Sequence, residues 1–173
     1  HPMESRNKSN QIPDEVVDVL HKTIHDIAGP LTRRYYRLKA AQLGLEKLRW
    51  SDRNAPMPFS DTTIIPFDDA KATVLAAYRS FSPTLADLVQ NFFDQNRIDA
   101  PGVKGKRGGA FNYSVVLPGN VPASYVFLNY LGSNRDVMTL AHELGHGVHG
   151  LLACKEQGVL MSHAPIAYCE TAS

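Results

Sequence analysis

Residues 142–150 read HELGHGVHG, and within them His142, Glu143 and His146 spell HExxH. On an α-helix, residues four apart lie one turn apart on the same side, so both imidazoles can reach one ion. Glu143, displaced by about 100° around the axis, stands beside that ion. Imidazole donors with a neighbouring carboxylate are what a hydrolytic zinc centre requires: ligands for the metal and a base for a water molecule. His149 shares the face, but it lies about 10 Å of helical rise from His142, too far for one ion to bind it together with the other two. It is expected to contact substrate or orient a ligand, or simply to bond nearby backbone.

Catalytic zinc takes a third protein ligand and keeps one position open. Downstream, the candidates are His163 and Glu170. Pro165 can occupy the first turn of a short helix, PIAYCETAS, that carries Glu170 on a rigid element, while His163 sits on the loop before it. Rigidity favours Glu170; spacing alone leaves both open.

The helix that bears the histidines must be held from behind. With His142 at zero on a helical wheel, Val137, Leu140, Ala141, Leu144, Val148, Leu151 and Leu152 fill the opposite arc. An apolar back and a histidine front are not the pattern of a plain core helix, because buried imidazoles need hydrogen bonds or a metal. Gly145, Gly147 and Gly150 each cost about 1 kcal/mol of helix stability against Ala. They point to close approach by another backbone, or to fraying. Gly132-Ser133-Asn134 supplies the cap, and the helix is expected to begin near Arg135.

Upstream, residues 110–117 and 123–131 are β-rich and flank a turn-rich PGNVP, which predicts two antiparallel strands. The strand from Tyr125 to Leu131, ending just before the metal helix, could take up an extended peptide by strand addition, or merely pack on the helix. The first part of the chain is helical in pattern. Pro13-Asp14-Glu15 opens one helix that Gly29-Pro30 should end, and a second from Leu31 to Gly44 should pack antiparallel to it. Residues 51–58 read as a loop and 62–66 as a short strand. Asp68-Asp69 and Ser82-Pro83 open two further helices, to about Ser80 and Asn96. Phe92-Phe93 and Tyr35-Tyr36 are expected to fill the core. The texture divides the chain into a helical region, 1–98, and a zinc-site region, 99–173. The expected fold class is α+β, mainly α, with a small antiparallel sheet beside the metal-binding helix.

Composition narrows the function further. A formal net charge of +1 over 173 residues gives no reason to expect nucleic acid as partner, and the short basic run 104–107 is better read as a solvated turn. No apolar run is long enough to cross a bilayer. Two cysteines, Cys154 and Cys169, are too sparse for a disulfide framework and suggest free thiols in a reducing cytosol, so a cytoplasmic location is expected.

HELGHGVHG followed by ETAS, with Glu170 placed 24 residues after His146, resembles the zinc peptidases of the oligoendopeptidase F and thimet oligopeptidase family. KGKRGGAFNYS, the strand YVFLNYLG and NRDVMTLAHELGH are similar to its oligoendopeptidase F branch. The resemblance implies a zincin-like fold, one Zn2+ ion held by His142, His146 and Glu170, Glu143 as catalytic base, and oligopeptides as substrate. It also implies a place near the site for residues 104–109, which gives Arg107, Gly108 and Gly109 a substrate-facing or bracing role. The family's further His and Tyr donors lie beyond Ser173, and only Tyr168 and His149 stand as possible substitutes here. The chain is therefore expected to be the central piece of a longer metalloendopeptidase, the alternative being a zinc- or peptide-binding fragment without turnover.

Overall fold

A computed structural model describes residues 2–59, 63–171 and 173. It divides into two compact units, residues 1–62 and 63–173.

The first unit is helical. After α1 (Glu4–Ser9), one long helix, α2 (Asp14–Gln42), runs straight through Gly29 and Pro30. The expected helical hairpin is thus a single helix. Proline forfeits one backbone hydrogen bond and costs about 3 kcal/mol in a helix interior, yet the good helix formers on both sides carry the helix past it. Tyr35 is correspondingly half exposed instead of being core. A 3-10 turn, η1 (Trp50–Asn54), follows where a loop was expected. It is tied back to α2 by Lys39, a residue only 3% exposed, whose Nζ donates to the Arg53 carbonyl at 2.7 Å.

The second unit holds the histidine helix. Of the short strand expected at 62–66, Thr62 lies outside the described residues. Residues 63–66 form no ladder; the Ile65 amide donates to the Gly132 carbonyl at 2.9 Å, and Pro66 has no N–H to continue. Helices α3 (Phe67–Phe81) and α4 (Pro83–Asp94) follow as predicted, the second capped by Ser82, whose side chain accepts from the Leu85 amide. The sheet comprises β1 (Ile98–Pro101), β2 (Phe111–Leu117) and β3 (Val121–Tyr130) in the order β1-β3-β2. β2 and β3 form the predicted antiparallel pair, with Phe111 opposite Phe127 and Leu117 opposite Val121. β1 joins parallel to β3, so the small sheet is mixed. The change of texture near residue 99 marks where helices give way to strands. The units part earlier, because α3 and α4 pack on α5 and share one core with it and the sheet.

α5 (Asn134–Gln157) lies across the sheet. Ser133 caps it in a reciprocal pair with Asp136, each side chain accepting from the other's backbone amide. Burial pushes the Asp136 carboxyl up, but the hydrogen bonds it accepts from Ser133, Leu131 and Gly132 together hold it below the usual carboxylate range. The apolar back faces inward as the wheel required: Leu140, Leu144 and Val148 are buried with Phe92, Val126 and Leu128 in one core. Short α6 (Ile166–Thr171) follows, and Ala172 of the expected nine-residue helix lies outside the described residues.

The glycines of α5 mark contacts, not fraying. A Cβ on Gly150 would stand 2.0 Å from Ser114 Oγ on β2, and one on Gly147 would meet the Phe92 ring at 2.6 Å. The helix can lie this close to the strand only because a hydrogen replaces the methyl. Gly150→Ala is expected to lower stability by about 1–3 kcal/mol through overpacking, the gain in helix propensity offsetting only part of it. Urea unfolding measures this, and adding Ser114→Gly should recover most of the loss.

Candidate active site

Three side chains from two helices converge. His142 and His146, one turn apart on α5, place their Nε2 atoms 3.1 Å apart. Glu170 on α6 brings Oε2 to 3.7 Å from His142 Nε2 and Oε1 to 3.7 Å from His146 Nε2. Two imidazole nitrogens facing each other at that distance require something shared between them, a proton or a cation. Donors bound tetrahedrally at about 2.0 Å to one zinc ion stand ~3.3 Å from one another. The observed separations bracket that value, and a set of two nitrogens and one carboxylate oxygen suits the same ion. The residues present therefore fit zinc.

Burial holds the His146 ring toward its neutral form. His142 adds to that effect, while the Glu170 carboxylate and a backbone hydrogen bond at Cys169 oppose it. A neutral ring is the form that ligates. Glu143 is only 6% exposed. Burial pushes its pKa above the ordinary carboxylate value; His142 pulls it down and Glu170 pushes it up. A buried carboxylate of raised basicity can accept a proton.

Beside the triad lies a cleft of about 270 Å³. His146, His149 and Glu170 form one wall, Asn112, Tyr113 and Ser114 of β2 another, and Ser162 and His163 a third. The first wall of the cleft thus includes His149, clear of the paired Nε2 atoms. His163, the other ligand candidate, is turned to the cleft, its Nδ1 3.2 Å from Ser162 Oγ. Tyr168 is half exposed on α6 and does not line the cleft.

The sheet changes which strand can meet a peptide. β3, the strand expected to add one, is central and paired on both sides, so it has no free edge. β1 and β2 are the edge strands, and of the two it is β2 that reaches the cleft. Its inward residues are polar: Asn112 Nδ2 donates to Ser124 Oγ at 2.7 Å and to the Tyr125 carbonyl at 3.1 Å, and the Ser114 and Ser124 hydroxyls lie 2.9 Å apart. Two polar residues at alternate inward positions, 112 and 114, were the signal that this strand borders a site. Tyr78 was not legible in this way: its hydroxyl donates at 2.9 Å to the Ala141 carbonyl, bracing the turn that bears His142 from 63 residues away.

The basic run is not a solvated turn throughout. The Lys106 side chain is only 7% exposed, and its Nζ donates to the carbonyls of Asp99, Pro101 and Leu128 and to Asp99 Oδ1, at 2.8–3.1 Å. It also lies 4.5 Å from the Phe127 ring centre. The register of β1 on β3 shifts between Asp99 and Pro101, and Lys106 serves carbonyls at that irregularity. Asn129 Nδ2 then donates to the Arg107 and Gly109 carbonyls at 2.9 and 3.1 Å. Arg107, Gly108 and Gly109 are exposed on a loop that is braced at both ends, and none of them lines the cleft. Lys106→Met should cost about 1–3 kcal/mol, chiefly through the Pro101 and Leu128 carbonyls left without their donor, because the Asp99 carboxylate is 63% exposed and water can replace its partner. Urea unfolding would show it, and Arg97→Met, at a half-exposed contact 5.9 Å from the Tyr125 ring centre, should cost less.

Two histidines and the Glu143 carboxylate on α5, a second carboxylate, Glu170, on α6, and a sheet edge alongside make up a donor set that could hold a metal ion beside a cleft. The family model for Peptidase family M3 matches residues 2–173, and the chain belongs to that family. It is 30% identical over 170 residues to oligopeptidase PepF of Bacillus subtilis (strain 168), covering 98% of this chain and 25% of that protein. It is 29% identical over 171 residues to the group B oligopeptidase PepB of Streptococcus agalactiae, covering 98% of this chain and 27% of that protein. A crystal structure assigned to oligoendopeptidase F of Bacillus anthracis str. Ames superposes with a TM-score of 0.75 at 23% identity, over 93% of this chain and 29% of that one. The chain thus spans about a quarter of the length of the curated relatives it matches. Among the described residues, no helix is long and apolar enough to cross a membrane.

Proposed function

We propose that the chain carries the catalytic centre of a zinc metalloendopeptidase that hydrolyses oligopeptides. The observation that carries this reading is the convergence of His142, His146 and Glu170 beside a buried Glu143 in a chain of peptidase family M3. In it, His142, His146 and Glu170 hold the ion. When bound, zinc supplies a Lewis acid that polarises a carbonyl and brings the pKa of water toward neutrality.

The remaining chemistry belongs to the protein. Glu143 takes the proton from the attacking water at its carboxylate, and the same group passes that proton to the departing amine. The raised basicity that burial confers helps the first transfer and leaves the acid strong enough for the second. An extended peptide lies along the free edge of β2, its main chain pairing with that strand, and a side chain enters the cleft between His149, Tyr113 and His163. Relatives named as oligopeptidases support short peptides as the substrate class.

The alternative is a fragment that binds zinc and peptide without turnover. Metal content after dialysis and hydrolysis of a quenched-peptide panel separate the two: stoichiometric zinc with zinc-dependent cleavage supports the enzyme, and zinc without cleavage supports the alternative. Absence of stoichiometric zinc sinks both.

A further inference from the structure

The third glycine of α5 has different neighbours from Gly147 and Gly150. Gly145 occupies the turn between His142 and His146, directly before the second histidine, and it is buried. A Cβ built on it would stand 2.8 Å from Ser173 Cα and 3.3 Å from Ser173 Cβ, just beyond α6, and 3.2 Å from the Tyr78 hydroxyl of α3. Gly147 and Gly150 admit the core and the sheet; Gly145 admits the chain that follows Glu170. Local preference does not explain glycine here, because alanine is the better helix former.

The distances decide what a side chain at 145 would do. Carbon atoms in contact stand about 3.5–4.0 Å apart. A methyl group would therefore demand roughly 0.7 Å more room than the 2.8 Å at Ser173 provides. Tyr78 offers no relief on the other flank. Its hydroxyl donates to the Ala141 carbonyl at 2.9 Å, and the residue packs against the core. The separation must then open between α5 and the segment after α6. Ser173 lies three residues from Glu170 and donates its hydroxyl to the Glu170 carbonyl at 3.3 Å, so displacing one displaces the other. Whichever side yields, metal donors part, because α5 bears His142 and His146 and α6 bears Glu170. A metal site holds its donor distances to within about 0.2 Å, several times less than the room a methyl needs.

We propose that Gly145 is a positioning residue for the third metal donor. Its missing side chain lets the segment around Glu170 close on α5 to the separation at which one ion reaches all three donors. This rests on the zinc reading above and adds to it a requirement that the HExxH spacing does not contain: in this chain, the residue before the second histidine must be glycine.

The test measures metal binding, not turnover. The chain and its Gly145→Ala variant are titrated with Zn2+ in competition with a chromophoric chelator, and with Co2+, whose visible absorption reports the number and arrangement of its donors. Gly145→Ala is expected to keep its metal-free far-UV circular dichroism and to raise the zinc Kd by about 10–100-fold, the usual loss when a group that orients a ligand is disturbed. Its cobalt band should weaken and shift as the carboxylate is lost. In a Glu170→Ala background the same substitution should change Kd less than about twofold, since the donor it positions is already gone. Gly150→Ala, which crowds α5 from the sheet, should leave the cobalt band in place. The proposal is overturned if Gly145→Ala binds zinc as tightly as the unaltered chain, or if its loss is as large without Glu170. An equal loss of metal in Gly150→Ala also overturns it, as does loss of the helical signal in metal-free Gly145→Ala, because glycine would then serve the fold and not the ligand. An unaltered chain that takes up no zinc defeats the peptidase reading along with this one. Tight zinc binding that is indifferent to residue 145 defeats this one alone.

Discussion

Glu143→Gln is expected to leave one equivalent of zinc bound per chain while lowering peptide hydrolysis by about 10²–10⁴-fold, the usual loss on removing a general base. The amide keeps the size and most of the packing of a side chain that is 6% exposed, so the fold should survive. What it loses is the ability to take a proton. The metal donors are untouched, since His142, His146 and Glu170 meet one another at 3.1–3.7 Å without Glu143 among them. The substitution therefore separates binding from turnover. Substrate affinity, followed as KM, should change little, with the loss confined to kcat. Equal cleavage by both proteins would remove Glu143 from the base role. Loss of zinc in the variant would mean that the carboxylate holds the metal, directly or through its neighbours.

How much of this could be read beforehand follows from where the information lies. His142, Glu143 and His146 sit on one helix, and a helix turns spacing into geometry without help from the rest of the chain. The apolar arc of α5 was legible for the same reason, and Leu140, Leu144 and Val148 are buried where it placed them. Glu170 comes from a different element, and spacing alone could not choose it over His163; its place beside the two histidines depends on how α6 returns over α5. The edge of the sheet was beyond local reading altogether. β1 pairs parallel to β3 across an intervening strand, and that long-range pairing takes β3 out of contention and leaves β2 free. Lys106 shows the same limit from the other side. A lysine among glycines looks solvated in sequence, and only the fold brings the carbonyls of Asp99, Pro101 and Leu128 within its reach. At Gly29-Pro30 the local rule itself was overruled, because long runs of helix formers on both sides outweigh one lost hydrogen bond.

Removing Glu170 should have the largest effect on metal-linked stability. Zinc in excess of Kd by a thousandfold stabilises a folded protein by about 4.1 kcal/mol if it binds the folded form alone. For a chain of this size, that corresponds to a rise in Tm on the order of 10 °C. Glu170→Ala leaves two imidazoles, one donor short of a closed protein set, and most of that rise should vanish. His142→Ala should do the same, and Glu143→Gln should keep it. The difference between the two ligand variants lies in what else they release. α6 has six residues, none of them buried, and contributes no side chain to the core. Ser173, just beyond it, does reach α5, where a Cβ on Gly145 would come within 2.8 Å of its Cα, but such a contact is small beside a metal bond. An ion shared by His142, His146 and Glu170 would therefore clip α6 onto α5. Without Glu170, residues 158–173 should exchange amide protons and be cut by protease at nearly the same rate with or without zinc. His142→Ala, which keeps one ligand on each helix, should leave some protection at high zinc. Zinc-dependent protection that persists in Glu170→Ala would transfer the third-ligand role to another donor, with His163 in the adjoining cleft the first to examine.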